Sequence, residues 1–186
     1  VLAVYPYTPQ QIISQTIINA SSIPVLAGVG GGTTQGFRTA VMAKDAEAQG
    51  AYGVVVNAPM SNKNVALIKR VIDIPIIVTV VNDLEDVQAR LDAGATILNV
   101  SAGSRTPEIV ANIRKDFPKI PIIATGGPTE ESIKQTIAAG ANTISYTPPS
   151  IAEVFSDLMD VYREQAEKTK EPDAGDEELG RLIELL

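Results

Sequence analysis

Neither histidine nor cysteine occurs in this chain of 186 residues. That removes imidazole metal ligands, the commonest general base, any Ser-His-Asp triad and every thiol nucleophile. What remains is a set of polar residues, amides and hydroxyls foremost, and these candidates stand at the ends of apolar runs. Asn57 closes GVVVN, Asn99 falls in TILNV, and Thr79 and Thr125 take equivalent places in IPIIVTV and IPIIAT. Ser145 in NTISY matches Asn99. Asn99 and Ser101 lie two apart and therefore share one face of a strand. Such neutral groups suit a site that orients a small carboxylate, carbonyl or phosphate ester. The alternative is that they satisfy one another.

A second set of candidates surrounds the glycines. In GVGGGTT, residues 28–34, the N–H groups of Gly30, Gly31, Gly32 and Thr33 are unshielded enough to form an anion nest, with Arg38 adding charge. A plain turn is the competing reading. Gly126 and Gly127 turn the chain after IPIIAT. Lys63 and Arg105 are basic residues in the loops after GVVVN and TILNV. Either clamps an anion or is a solvated surface charge, and Lys63 could carry a proton. Tyr5, Tyr7 and Tyr146 are phenols that act as acids or pack at a rim. The candidate catalytic set is Lys63, Asn57, Asn99 and Thr125, and the glycines, Thr33, Arg38 and Arg105 form the ligand-binding set. No metal or cofactor is expected, because histidine is absent and carboxylates do not cluster at strand ends.

The elements that position these residues repeat. Ile-Pro opens one strand type at Pro24, Pro75 and Pro121, and Gly-Ala precedes the other at Gly50, Gly94 and Gly140, in strict alternation. Strands are expected at 1–5, 23–28, 53–57, 74–80, 96–100, 120–125 and 143–147. Between them run helices beginning near Thr8 and Gln35, one that follows APMSNK and ends near Arg70, and others boxed by Asn82 and Glu85, capped by Thr106, and opened by Pro128-Thr129. A last helix runs from Ser150, boxed by Glu153, to Glu167. Short alternating β and α elements predict a parallel sheet with right-handed crossovers. The expected fold is a (β/α)8 TIM barrel with its first β/α unit absent from the chain; an open doubly wound sheet is the alternative. Residues 1–167 form the barrel, 168–175 a linker, and 176–186 an amphipathic helix. Leu179, Leu182, Ile183 and Leu186 of that helix suit self-association.

Formal charge is −7, of which residues 167–186 supply −4, from seven acids and three bases. The nearly balanced remainder has no basic stripe for nucleic acid. No apolar run approaches the ~20 residues of a membrane span. With no signal peptide visible, a cytoplasmic homo-oligomer binding a small anionic metabolite is expected.

Residues 74–150, through IPIIATGG, a helix and a GA-led strand, resemble the second half of the phosphate-binding aldolase-type TIM barrels. These include N-acetylmannosamine-6-phosphate 2-epimerase, the 2-keto-3-deoxy-6-phosphogluconate aldolases and thiamine-phosphate synthase. Residues 23–60, IPVLAGVGGGTT to GAYGVVVNAPM, separately resemble the dihydrodipicolinate synthase group. The resemblance implies ligands over the C-terminal strand ends and phosphate on the N–H groups of the last two loops. It implies a lyase, isomerase or hydrolase acting on a small phosphorylated or carboxylated metabolite. The chain departs from those families in lacking a lysine in the 28–34 loop and in carrying Thr125 where the epimerase has glutamate. Asn99 and Ser101 stand where Schiff-base aldolases have a lysine. Pro148 and Pro149 delete two donors from the final loop. A non-catalytic barrel that senses a metabolite or scaffolds a partner is the other reading.

Overall fold

The computed structural model describes residues 1–5, 8–147 and 149–168. Among these, seven parallel strands follow one another in sequence order: β1 (Leu2–Ala3), β2 (Leu26–Gly30), β3 (Gly53–Val56), β4 (Ile76–Val80), β5 (Ile97–Val100), β6 (Ile122–Thr125) and β7 (Thr143–Ser145). Helices α1 (Gln11–Ala20), α2 (Phe37–Ala48), α3 (Asn62–Lys69), α4 (Val87–Asp92), α5 (Thr106–Asp116) and α6 (Glu130–Ala138) alternate with them. The strand order never reverses, as a doubly wound sheet would require. The fold is a TIM barrel, nearly closed and one strand short of eight, with β1 and β7 as its edges. A second compact unit begins at Thr147 and carries α7 (Ile151–Lys168). Its first turn is boxed as expected, the Ser150 N–H donating to Glu153 at 2.6 Å. The rest of the expected linker, the helix at 176–186 with its four apolar residues, and Tyr7 lie outside the described residues.

The Gly-Ala repeat is a helix-stop device. Gly50, Gly94 and Gly140 have φ of 92°, 114° and 107°. The following alanine N–H groups reach back to the Ala46, Arg90 and Thr136 carbonyls, at 3.0, 3.1 and 3.3 Å. This is the Schellman arrangement, which turns the chain directly into the next strand.

Strand residues alternate between two layers. Val54, Val56, Ile76 and Val78 point outward and pack with Ala43, Ala46, Val65 and Ile68 of the helices. Leu98, Val100 and Ile122 pack likewise with Ile109, Val110 and Ile113. The alternate positions face inward; they are apolar low in the barrel (Val55, Ile77, Ile123) and polar towards the C-terminal ends. Burying each large outward side chain contributes about 1.5–3 kcal/mol.

Four expected boundaries are corrected. The strand drawn at 23–28 runs from Leu26 to Gly30, so Gly28 to Gly30 belong to β2 and not to a loop. Parallel pairing to β3 holds them, with a register shift between Gly28 and Gly30. Helix α1 begins at Gln11 behind Gln10, which makes no side-chain cap, and Thr8 is exposed. The Asn82–Glu85 box is not formed: the Asn82 oxygen accepts from the Leu84 N–H at 2.9 Å, and Asp86 caps α4. Thr106 starts α5 rather than capping it, its hydroxyl accepting from Ala102 at 3.0 Å.

Candidate functional site

All strand C-termini open on one mouth, as parallel pairing in a barrel demands. At the end of β2 the chain makes a glycine turn that closes on itself. The Gly31 N–H donates to the Thr34 carbonyl at 2.9 Å, and the Gly32 N–H to the Pro59 carbonyl at 3.1 Å. Those two donors are spent, so the expected anion nest is not formed by Gly31 and Gly32. Close approach explains Gly31 better. Its φ is 129°, and an added Cβ would overlap the backbone and Cβ of Asn57. A cavity of about 300 Å³ sits here, lined by Val4, Tyr5, Gly28, Gly30 to Thr34, Asn57 and Ala58.

Asn57 follows β3 and is held from β2, its N–H donating to the Gly30 carbonyl at 2.8 Å. Its side chain ends a relay across three strands. Asn99 Nδ2 on β5 donates to Thr79 Oγ1 on β4 at 3.1 Å, and Thr79 donates to Asn57 Oδ1 at 3.1 Å. Asn99 and Thr79 are buried, and Asn99 Oδ1 is buried without a partner. The relay therefore unites Asn57 and Asn99 of the expected set and adds Thr79. Thr125 stands apart, half-buried at the end of β6 opposite Ser145.

On the β6 side the protein fills its own cradle. Thr129 and Ser132 form the capping box of α6, and the Ser132 hydroxyl donates to the Gly126 carbonyl at 2.9 Å. Glu130 and Glu131 occupy the first helical turn, where their charge opposes an anion. Gly126 is small because Ile144 and Ile133 press on it, and Gly127 because Ser132 does. The Gly126 N–H is spent on the Ser145 carbonyl at 3.0 Å.

The basic candidates divide into two groups. Arg105 is held by Glu108 at 3.1 Å and Asp83 at 2.9 Å. Those carboxylates raise its pKa, Glu108 foremost, and the hydrogen bond from Arg105 in turn lowers that of Asp83. Arg90, which sequence reasoning missed, is buried and pairs with Glu85 at 2.7 Å while donating to Asn62 at 2.8 Å and to the Met60 carbonyl. It ties the loop after β3 to the loop after β4, and its partners lie too far along the chain to give a local signal. Arg38 and Lys63, each second in its helix, are exposed and form no ion pair among the described residues.

Among the described residues no group of three or more His, Cys, Asp or Glu could hold a metal, and no helix is long and apolar enough to cross a membrane. No protein-family model matches the chain. No curated protein matches it either. Solved structures match the fold at low identity. Phosphonopyruvate hydrolase in complex with oxalate and Mg++ aligns with a TM-score of 0.64 and 18% identity, covering 89% of this chain and 69% of that one. Phosphoenolpyruvate phosphomutase from Streptomyces platensis subsp. rosaceus gives 0.61 and 16%, covering 94% and 75%. A Pseudomonas aeruginosa protein assigned as a dihydrodipicolinate synthetase gives 0.60 and 16%, covering 73% of this chain and 51% of that one. Structural neighbours thus fall among TIM barrels of the PEP mutase/isocitrate lyase superfamily and the dihydrodipicolinate synthase type.

Proposed function

We propose that this barrel takes a small carboxylated or phosphorylated metabolite over the ends of β2 and β3 and converts it by lyase, isomerase or hydrolase chemistry. Segregation of charge around the mouth is the observation that supports this. The two loops lining the cavity lead straight into the helices that carry Arg38 and Lys63, both without carboxylate partners among the described residues. Arg90, beside the loop after β3, and Arg105, after β5, are neutralised by carboxylates, and Glu130 and Glu131 open α6. An anion is drawn to one side and repelled from the other. Asn57 and Thr33 supply neutral hydrogen bonds, and Lys63 is the candidate proton carrier. The fold is shared with a hydrolase, a mutase and a lyase. The Mg++ of the hydrolase has no matching cluster of carboxylates among the described residues, where the strand-end donors are amides and hydroxyls.

A second reading, a barrel that senses its ligand without turnover, is favoured by the inward strand positions, which hold no titratable side chain among the described residues. Calorimetric titration with oxalate, pyruvate and inorganic phosphate tests both. Binding that weakens in the Arg38→Gln, Lys63→Gln double variant supports the site, and silence with all three probes removes it. Binding with no turnover across a panel of oxo- and hydroxy-acids selects the sensing barrel.

A further inference from the structure

We infer that Thr79 and Asn99 are positioning residues that lock the Asn57 amide with its NH2 group towards the glycine-turn cavity, so that the site takes an acceptor oxygen of its ligand. The inference rests on the reading of this mouth as a site for a small acid, and it names the group that does the selecting. A threonine hydroxyl carries one proton, and an asparagine has one acceptor end and one donor end. Because Asn99 Nδ2 donates to Thr79 Oγ1, the Thr79 proton points the other way, onto Asn57 Oδ1. Asn57, its oxygen engaged, has two N–H groups left and lines the cavity. Gly31 packs against Asn57 from the β2 side and restricts its backbone. The stranded Asn99 Oδ1 is unfavourable where it lies. An apolar residue at 99 would avoid that cost, so the amide there has its reason in the donor it gives Thr79.

Side-chain amide NMR of the ligand-free protein, with oxalate titrations, tests the relay. In the wild type the Asn57 Nδ2 protons should show contacts to the Gly31 and Gly32 Hα atoms. Thr79→Val should scramble those contacts and weaken oxalate binding roughly tenfold, as loss of one oriented hydrogen bond implies. Thr79→Ser should restore both. Asn99→Asp should behave like Thr79→Val, because its carboxylate captures the Thr79 proton and releases Asn57. Unchanged Asn57 contacts in Thr79→Val overturn the inference. An oriented Asn57 in a wild-type protein that binds none of oxalate, pyruvate and inorganic phosphate upholds the relay and removes the small-acid reading instead.

Discussion

Asn142 and Asn57 are both strand-end asparagines, at opposite ends of the barrel, and they bond to different kinds of partner. Asn142, just before β7, accepts from the Ile122 backbone N–H and from Arg114, both at 2.9 Å. Arg114 also donates to the carbonyls of Gly140 at 2.7 Å, Ile120 at 2.7 Å and Pro118 at 3.1 Å. Close by in kind, Glu47 accepts from the Asp73 and Ile74 N–H groups at 2.7 and 3.0 Å. The N-terminal end thus uses its polar side chains on the orphan backbone groups of strand starts. The Asn57 side chain, at the C-terminal end, serves another side chain and not a strand-start backbone group, its oxygen accepting from Thr79, and it lines a cavity. One end holds the barrel shut, and the other keeps hydrogen-bonding capacity in reserve.

That contrast can be broken from either side. Arg114→Ala should strand several carbonyls and destabilise the protein by about 2–4 kcal/mol, roughly 5–15 °C in melting temperature, with oxalate affinity unchanged. Equal loss of binding would mean that the two ends are coupled. Asn57→Ala should do the reverse. Affinity should fall roughly ten- to a hundredfold, on the order of 1.5–3 kcal/mol, with melting nearly unaltered. Gly31→Ala, forcing a side chain into a left-handed position against Asn57, should cost about 1–2 kcal/mol in denaturant titrations and weaken binding as well. The smallest effect belongs to Asp83. Arg105 holds its folded pKa below 3.8, so the stability it lends is present above that value and drains away as pH falls through the folded pKa. Both partners are about half exposed, at 47% and 48%, so the effect is small. Asp83→Asn should flatten the melting profile slightly below about pH 4 and leave it unaltered at pH 7.

Sequence alone carried the architecture because its signals are local. A helix stop needs Gly at one position, and a buried parallel strand needs an unbroken apolar run; Gly140 and IPIIAT show both. The end of β2 was misread for the converse reason. Gly28 and Gly30 have no side chains to alternate, so a paired strand with a register shift reads as a loop. Asn57 and Asn99 were visible as strand-end amides, but which end of the Asn57 amide is engaged depends on the Thr79 proton, a spatial fact. Arg114 and Glu47 gave no signal, since each serves backbone atoms, some of them 26 positions away, and any sequence there offers the same carbonyls and N–H groups.

The open ring grades the resistance of the sheet to amide hydrogen exchange. β1 and β7 each lean on one neighbour, while β3, β4 and β5 are paired on both sides, and β3 and β4 carry fully buried valines and isoleucines. Opening the edges exposes little apolar surface, whereas opening the centre exposes most of the core, so protection should climb from the rims to β4. Thr79 and Asn99 ride on β4 and β5, and Asn57 directly follows β3. Their mutual geometry can therefore persist through fluctuations that repeatedly unzip the two edges of the same sheet.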